Sequence, residues 1–259
     1  MKILFIGDLM GKPGRNLTAG LLPSLKEQYG PFDFIISNCE NAAGGKGMTR
    51  KVMDELFASG IDILTSGNHI WDKKEFLPVL DEEKRVLRPL NYPPGCPGTG
   101  TGVFEKKGKR LRVLNLQGRV FMPVTDCPFR KAEEVLEKER ADCPVFVDFH
   151  AEATSEKRAL GFFLDGKVSC LAGTHTHVQT ADEQILPSGT AYITDVGMTG
   201  SHLSSIGMEI EPVIGRFLTG LPARFEVAKE GLLLNAVSVT IDDNSFKASE
   251  IKRIVAGEE

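Results

Sequence analysis

Short apolar runs alternate along the chain with longer stretches in which apolar residues recur at helical spacing, the rhythm of strands followed by helices. Residues 2–7 (KILFIG) predict a buried strand. Residues 14–29 predict a helix whose Leu17, Leu21, Leu22 and Leu25 share one face, read as core and not as a partner stripe. A second strand is expected over 32–38. A helix over 50–59 follows, capped by Thr49 and stopped by Gly60, and then a third strand over 61–66. Asp72 is placed to cap a short helix ending near Leu80. Residues 89–102, rich in proline and glycine, read as a loop, and 101–106 with 110–117 as a hairpin turning at Gly108. Beyond it the pattern predicts a helix over 129–141, a strand over 144–149, a helix over 154–164, and strands over 168–172 and 191–194. From there the texture changes, and 225–227, 232–241 and 245–254 read as antiparallel strands. The acid–base pairs within 130–140 read as a solvated helix face.

This alternation predicts an α/β fold with a mixed sheet, two sheets packed face to face and helices outside. At 259 residues the chain suits one large domain spanning 1–259, and with 41% hydrophobic and 25% charged residues it can bury a sizeable core. A formal net charge of −4 argues against broad nucleic-acid binding. No apolar run reaches the roughly 18 residues of a membrane span, and the start reads as a strand and not as a signal peptide. The five cysteines form no CxxC pair, so neither a disulfide framework nor a zinc knuckle is indicated, and a reducing cytoplasm fits. Cys39 reads as a small packing residue.

The chemistry gathers where strands end. Five strand candidates lead into Asp8, into Glu40-Asn41, into Asn68-His69, into His150, and into Thr174-His175-Thr176-His177. Ligands of α/β sheets collect at the carboxyl ends of strands, so a shared direction would bring these groups to one rim. Imidazole nitrogen with carboxylate oxygen suits iron, manganese, zinc or nickel better than calcium or magnesium. Glu40 could bridge two cations, and such a pair would turn water into hydroxide at neutral pH and neutralise phosphoryl oxygens during in-line attack. An acidic chain could thereby still bind a phosphate ester. The glycine-rich loop 42–47 could cradle phosphate through its amides or simply let the chain turn past the site. His202 reads as a rim residue. No aromatic side chain can be assigned as a base clamp from the residues alone.

Gly7-Asp8, Asn38–Asn41, Gly67-Asn68-His69, His150 and Gly173–His177, in that order, resemble the signature blocks of calcineurin-like metallophosphoesterases. The longer strings GDLMGKPGR, NCENAAGGKG, SGNHIWDKKE, VDFHAEATSEK, AGTHTHVQTAD and YITDVGMTG resemble the YmdB-like family of bacterial 2′,3′-cyclic nucleotide phosphodiesterases, from residue 1 to about residue 215. The resemblance implies a two-sheet sandwich flanked by helices, in four αββα layers. It implies a first metal held by Asp8, Glu40, Asn41 and His177, and a second held by the shared Glu40 with Asn68, His150 and His175. His69 would be the catalytic proton donor to the leaving oxygen. Iron is the first expectation for the two ions and manganese the second. The implied substrate is a cyclic nucleotide, a small phosphate ester, and a homo-oligomer is compatible with the resemblance.

Two positions depart from the wider superfamily. Met10 stands where a histidine is usual, and a thioether is a poor ligand for hard divalent ions, so Asn41 would supply the missing donor. Glu40 stands where aspartate is usual. The same centre could instead serve a phosphomonoesterase, a nucleotidase or a ribonuclease. A non-catalytic scaffold would show lost ligands, and here none is missing apart from the substituted position 10.

Overall fold

Successive side chains of a strand point to opposite faces, so a strand apolar on both must lie between two layers. β1 (Lys2–Ile6) meets this condition: Ile3 and Phe5 face one way, Leu4 and Ile6 the other, and all four are fully buried. The computed structural model describes residues 1–138 and 142–257 and shows what covers each face.

The first sheet has the order β2 (Asp8–Leu9), β11 (Met198–Ser201), β12 (Leu232–Ile241), β1, β3 (Phe34–Asn38), β4 (Ile63–Thr65), with β13 (Ala248–Gly257) paired to β12. The second has the order β5 (Thr101–Lys106), β6 (Lys109–Gln117), β7 (Val145–His150), β8 (Cys170–Thr174), β10 (Ala191–Ile193), β9 (Gln184–Ile185). β1, β3 and β4 run parallel, as do β6, β7, β8 and β10. Ile3, Phe5, Phe34, Ile36, Val237 and Val239 of the first sheet pack directly on Val113, Phe146, Cys170, Ala172 and Ile193 of the second. Phe5 and Phe146 meet edge to face across this layer at 5.0 Å. The outer face of the first sheet is covered by α1 (Gly11–Tyr29), α2 (Arg50–Ala58) and α3 (Leu77–Glu82). The outer face of the second is covered by α4 (Pro128–Lys138) and α5 (Thr154–Phe163). The layers are therefore αββα, as expected.

The layer between the sheets is not uniform. Its face of β3 reads Phe34, Ile36, Asn38; of β6, Leu111, Val113, Asn115, Gln117; of β7, Phe146, Asp148, His150; of β8, Cys170, Ala172, Thr174, and every one of these is buried. The interior thus turns from apolar to polar toward the carboxyl ends of the parallel strands of both sheets.

Several expectations shift. α1 starts at Gly11, in the left-handed region at φ 58°, because Pro13 is tolerated in a helix's first turn. Thr49 does cap α2, its hydroxyl accepting from the Val52 amide at 3.3 Å. Asp72 caps nothing: tight turns occupy Asn68–Trp71 and Lys74–Phe76, α3 starts just before Pro78, and the Asp72 carboxylate is engaged by His69. The hairpin turns through Lys107 and Gly108, both at positive φ. The helix expected over 129–141 is α4, and residues 139–141 lie outside the described residues. Residues 225–227 make only one bridge, Met208 with Val227, and no strand. Before them lies α6 (Ile210–Thr219), whose Pro212 and Gly215 hide its periodicity. The last strand starts at Ala248 because Ser245 is spent on a turn, its amide and hydroxyl both donating to Asp242. No helix of the described residues is long and apolar enough to cross a membrane.

Candidate metal centre

β3 ends at Asn38, and the next outward turn places Glu40 in the polar end of the sandwich, 1% exposed. Glu40 Oε2 accepts from the His69 amide at 2.9 Å, and its Oε1 lies 3.0 Å from His150 Nε2 at the end of β7. His175 Nδ1 lies 3.0 Å from the same His150 Nε2. One potential ligand atom from each of Glu40, His150 and His175 falls within 4.8 Å of the others. Asp8, fully buried, accepts from the His175 amide at Oδ2 (3.2 Å), and its Oδ1 lies 3.9 Å from His150 Nδ1. Asn41 Nδ2 lies 3.2 Å from His177 Nε2 and 3.2 Å from Glu40 Oε1. Strands of both sheets and the loops that follow them thus bring six of the seven expected ligands into one contact network. Asn68 stands beside His69, with its Oδ1 buried.

Neighbouring groups fix which ring nitrogen each histidine offers. Thr174 Oγ1 donates to Asp148 Oδ1 at 2.7 Å, so it accepts from His150 Nδ1 at 2.9 Å and leaves Nε2 toward Glu40. His177 Nδ1 donates to the Ile206 carbonyl at 2.9 Å, leaving Nε2 toward Asn41. His175 Nε2 lies 3.0 Å from Glu152, leaving Nδ1 toward His150. The two histidines of the His-x-His pair therefore present opposite ring nitrogens. Both sit at positive φ, 102° and 67°, a conformation that costs a non-glycine residue about 1–3 kcal/mol.

Asp195 holds that strained segment. Its Oδ2 accepts from the Thr176 amide (3.0 Å), the Thr176 hydroxyl (2.8 Å) and Lys157 Nζ (2.6 Å), and its Oδ1 accepts from the Gly197 amide at 2.8 Å. Lys157 and Asp195 are both 0% exposed, so removing either partner would strand a buried charge at a cost of about 3–5 kcal/mol. Asp148 is equally buried and accepts from Thr65, Thr174 and Asn38. Neither aspartate, nor Lys157, Thr174 or Glu152, stands out from the sequence as a functional residue. The usable signal is a charged residue at alternate spacing inside an apolar run, as in VFVDFH and AYITD.

Burial raises Asp8 to about 6, opposed by His177 and His150 and reinforced by Glu40 and Asp195. Burial acts on Glu40 in the same sense, but His150 and His69 override it and hold the carboxyl low. Burial opposes a charge on His150, yet Glu40 beside it, with Asp8 and Asp148, keeps the imidazole well above its ordinary range. His175 is pushed down to about 3 by burial and then by His150, so its ring is neutral.

The residues fit cations. Among the described residues Asp8 Oδ1 and Asn68 Oδ1 are buried acceptors without a hydrogen-bond partner, and each such orphan costs about 1–3 kcal/mol unless something positive meets it. His69 stands at the edge of the cluster with Nδ1 2.9 Å from Asp72 Oδ2, side chains 28% and 38% exposed. It lines a cavity of about 610 Å³ together with Glu40, Asn41, His175 and His177. Met10 is 2% exposed and packs against Gly207. Cys39 is fully buried, its thiol pushed up by burial, in keeping with packing. His202 is exposed, its Nε2 3.4 Å from both the Met198 carbonyl and Asn235 Nδ2, and its amide donates to the Gly231 carbonyl at 2.9 Å.

A four-layer αββα sandwich with these side chains at the carboxyl ends of its parallel strands is a metallophosphoesterase-type fold. The chain belongs to the YmdB-like protein family, whose pattern matches residues 4–254, well beyond the last quoted motif. It is 51% identical over 260 residues to the 2′,3′-cyclic-nucleotide 2′-phosphodiesterase of Bacillus subtilis, covering 100% of this chain and 98% of that protein. Its structure is similar to that of a hypothetical protein from Thermus thermophilus, with TM-score 0.94, 45% identity and full coverage of both chains. It is also similar to a phosphatase from Mycoplasma pneumoniae, with TM-score 0.93 and 40% identity over 99% of this chain and 93% of that one.

Two outcomes are expected. A Cβ on Gly67 would fall inside the His150 ring and on Glu40 Oε2, so Gly67→Ala should weaken binding of Mn²⁺ by about 10–100-fold while the fold persists. Unchanged affinity by calorimetry would show that the cluster can yield. Cation binding must also displace a proton from His150 and, below about pH 6, a second from Asp8. Affinity for Mn²⁺ should therefore climb from pH 5 to pH 8, about tenfold per unit for each proton released, and more steeply below pH 6 than above it. Titrations at pH 5, 6, 7 and 8 measure this, and a flat profile would contradict it.

Proposed function

We propose that this chain is a metal-dependent phosphodiesterase that opens 2′,3′-cyclic nucleotides to nucleoside monophosphates. The observation that carries this reading is the pair of orphaned buried acceptors, Asp8 Oδ1 and Asn68 Oδ1, at the same end of the sandwich as the Glu40–His150–His175 cluster. The activity named for the Bacillus subtilis relative supports this substrate class.

Asp8, Glu40, Asn41 and His177 are suited to one ion, and Glu40, Asn68, His150 and His175 to a second, with iron and then manganese matching the nitrogen and oxygen donors. Such ions, when bound, supply positive charge to the phosphoryl oxygens and acidify water. The chain's own residues do the rest. Thr174 and Asp148 hold His150 in one tautomer, and Glu152 does so for His175. Asp195, anchored by Lys157, keeps the His175–His177 segment in its strained conformation. His69, its Nδ1 oriented by Asp72, carries a proton on Nε2 and gives it to the ribose oxygen that leaves phosphorus. Water adds through its oxygen to phosphorus and releases a proton as that P–O bond breaks, the ribose oxygen departs as a neutral hydroxyl, and the other ribose oxygen keeps the phosphate.

The metal-loaded protein should hydrolyse 2′,3′-cyclic AMP in preference to p-nitrophenyl phosphate. His69→Ala should lower kcat by about 10²–10⁴-fold with metal content unchanged, and Asp72→Asn by a smaller factor. A fully active His69→Ala would remove the proton donor from the mechanism, and a strong preference for monoesters would replace the diester reading with a phosphatase.

A further inference from the structure

The cavity beside the cluster is larger than a phosphate ester requires. Its volume, about 610 Å³, falls in the range that small-molecule sites use to enclose a whole ligand. One side carries the cluster and His69. The other is built from a segment that the cluster does not need: Met208, then Val213, Arg216 and Phe217 of α6, then Phe225. Positions 213, 216 and 217 fall on one face of a helix, so α6 turns a single mixed aromatic, aliphatic and cationic face to the cavity.

Three features of this wall have no use in the fold. α6 has no buried residue, and Phe217 is 87% exposed. The Arg216 guanidinium lies over the Phe225 ring, 5.5 Å from its centroid. Among the described residues it makes no ion pair, although planar guanidinium groups favour bidentate carboxylate partners. Yet the wall is anchored at its base. The Glu209 amide donates to the Glu226 carbonyl and the Ala228 amide to the Gly207 carbonyl, both at 2.9 Å. Gly45, at φ 93°, has no Cβ where Met208 and Val227 pack. The glycine-rich loop 42–47 thus lets the wall approach the cluster closely.

We propose that this wall binds the nucleoside half of the substrate, with the base stacked against Phe225 and the plane of Arg216 while the phosphate lies at the cluster. The proposal rests on the cyclic-nucleotide reading and deepens it. An aromatic ring and a guanidinium plane both accept the flat face of a base, and the side chains of this wall offer no fixed set of hydrogen-bond groups to read a base edge. Recognition should therefore be tolerant: all four 2′,3′-cyclic nucleotides are substrates, with purines favoured by their larger stacking area.

The test compares 2′,3′-cyclic AMP with the cyclic phosphate of propane-1,2-diol, which has the strained ring and no base. In the metal-loaded enzyme, Phe225→Ala and Arg216→Ala should each raise KM for cyclic AMP about tenfold or more and leave kcat within about threefold. kcat/KM on the baseless ester should change less than twofold. Arg216→Lys, which keeps the charge and loses the plane, should behave as Arg216→Ala. Equal losses on both substrates would overturn the proposal by placing these residues at the phosphate, and an unchanged KM for cyclic AMP would overturn it outright. Adenosine binding by calorimetry gives a readout independent of turnover: measurable in the wild type and weakened at least fivefold in both alanine variants. Should the wild type hydrolyse neither ester, the phosphodiesterase reading falls, and adenosine binding still decides whether the wall holds a nucleoside.

Discussion

Asp8, Glu40, Asp148 and Asp195 are all withdrawn from water at one end of the sandwich, and the rest of the centre is arranged around tolerating that. An isolated carboxylate in a protein interior costs several kcal/mol, so each one needs a partner or a proton. Asp195 has Lys157. Asp148 has three neutral donors, and burial pushes its carboxyl up. Glu40 has His150 and the His69 amide. Asp8 alone of the four keeps an oxygen that no hydrogen bond among the described residues satisfies. Three of the four charges are settled inside the protein, and the unsettled one, Asp8, is the carboxylate that a cation would relieve.

The same constraint explains why two sheets are required. A single parallel sheet could bring Asp8, Glu40 and Asn68 to one rim, since β1, β3 and β4 are neighbours. His150 ends β7 of the other sheet and the His-x-His pair follows its neighbour β8, so face-to-face packing over Phe5 and Phe146 is what brings His150 within 3.0 Å of Glu40, with His175 already 3.0 Å from His150. Packing in the apolar half of the interior therefore sets the geometry in the polar half. The energy that holds His175 and His177 at positive φ comes from contacts away from the cluster, chiefly the buried Lys157–Asp195 pair and the donors around Asp195.

Legibility in the sequence follows the same division. The strands can be read because their double-faced apolar runs are long and their ends carry unlike chemistry, and the seven expected ligands are visible as polar residues just past such ends. The supporting groups are not, because Asp148 and Asp195 sit within runs that otherwise announce a strand, and no local rule says which buried carboxylate has a lysine waiting on a distant helix. Asp72 misleads for a related reason. A carboxylate before a helical stretch is normally a cap, but a histidine in the preceding turn competes for it. α6 escapes a reading of the sequence because its proline and glycine break the periodicity and its apolar residues face no core.

That last failure is informative about how the molecule is built. The strands that lead into the cluster are buried on both faces, and a glycine stands where no side chain fits, at Gly67 between Glu40 and His150. The wall opposite is a helix without a single buried residue, in a segment tied at its base by the Glu209–Glu226 and Gly207–Ala228 backbone hydrogen bonds. A substitution in the cluster propagates through a close-packed interior, whereas one on the exposed face of α6 meets little that must move. The two halves of the cavity thus stand under different constraints. The inner half is held by packing and buried charge, and the outer half, proposed above to hold the nucleoside, is the part that substitution can alter at least cost to the fold.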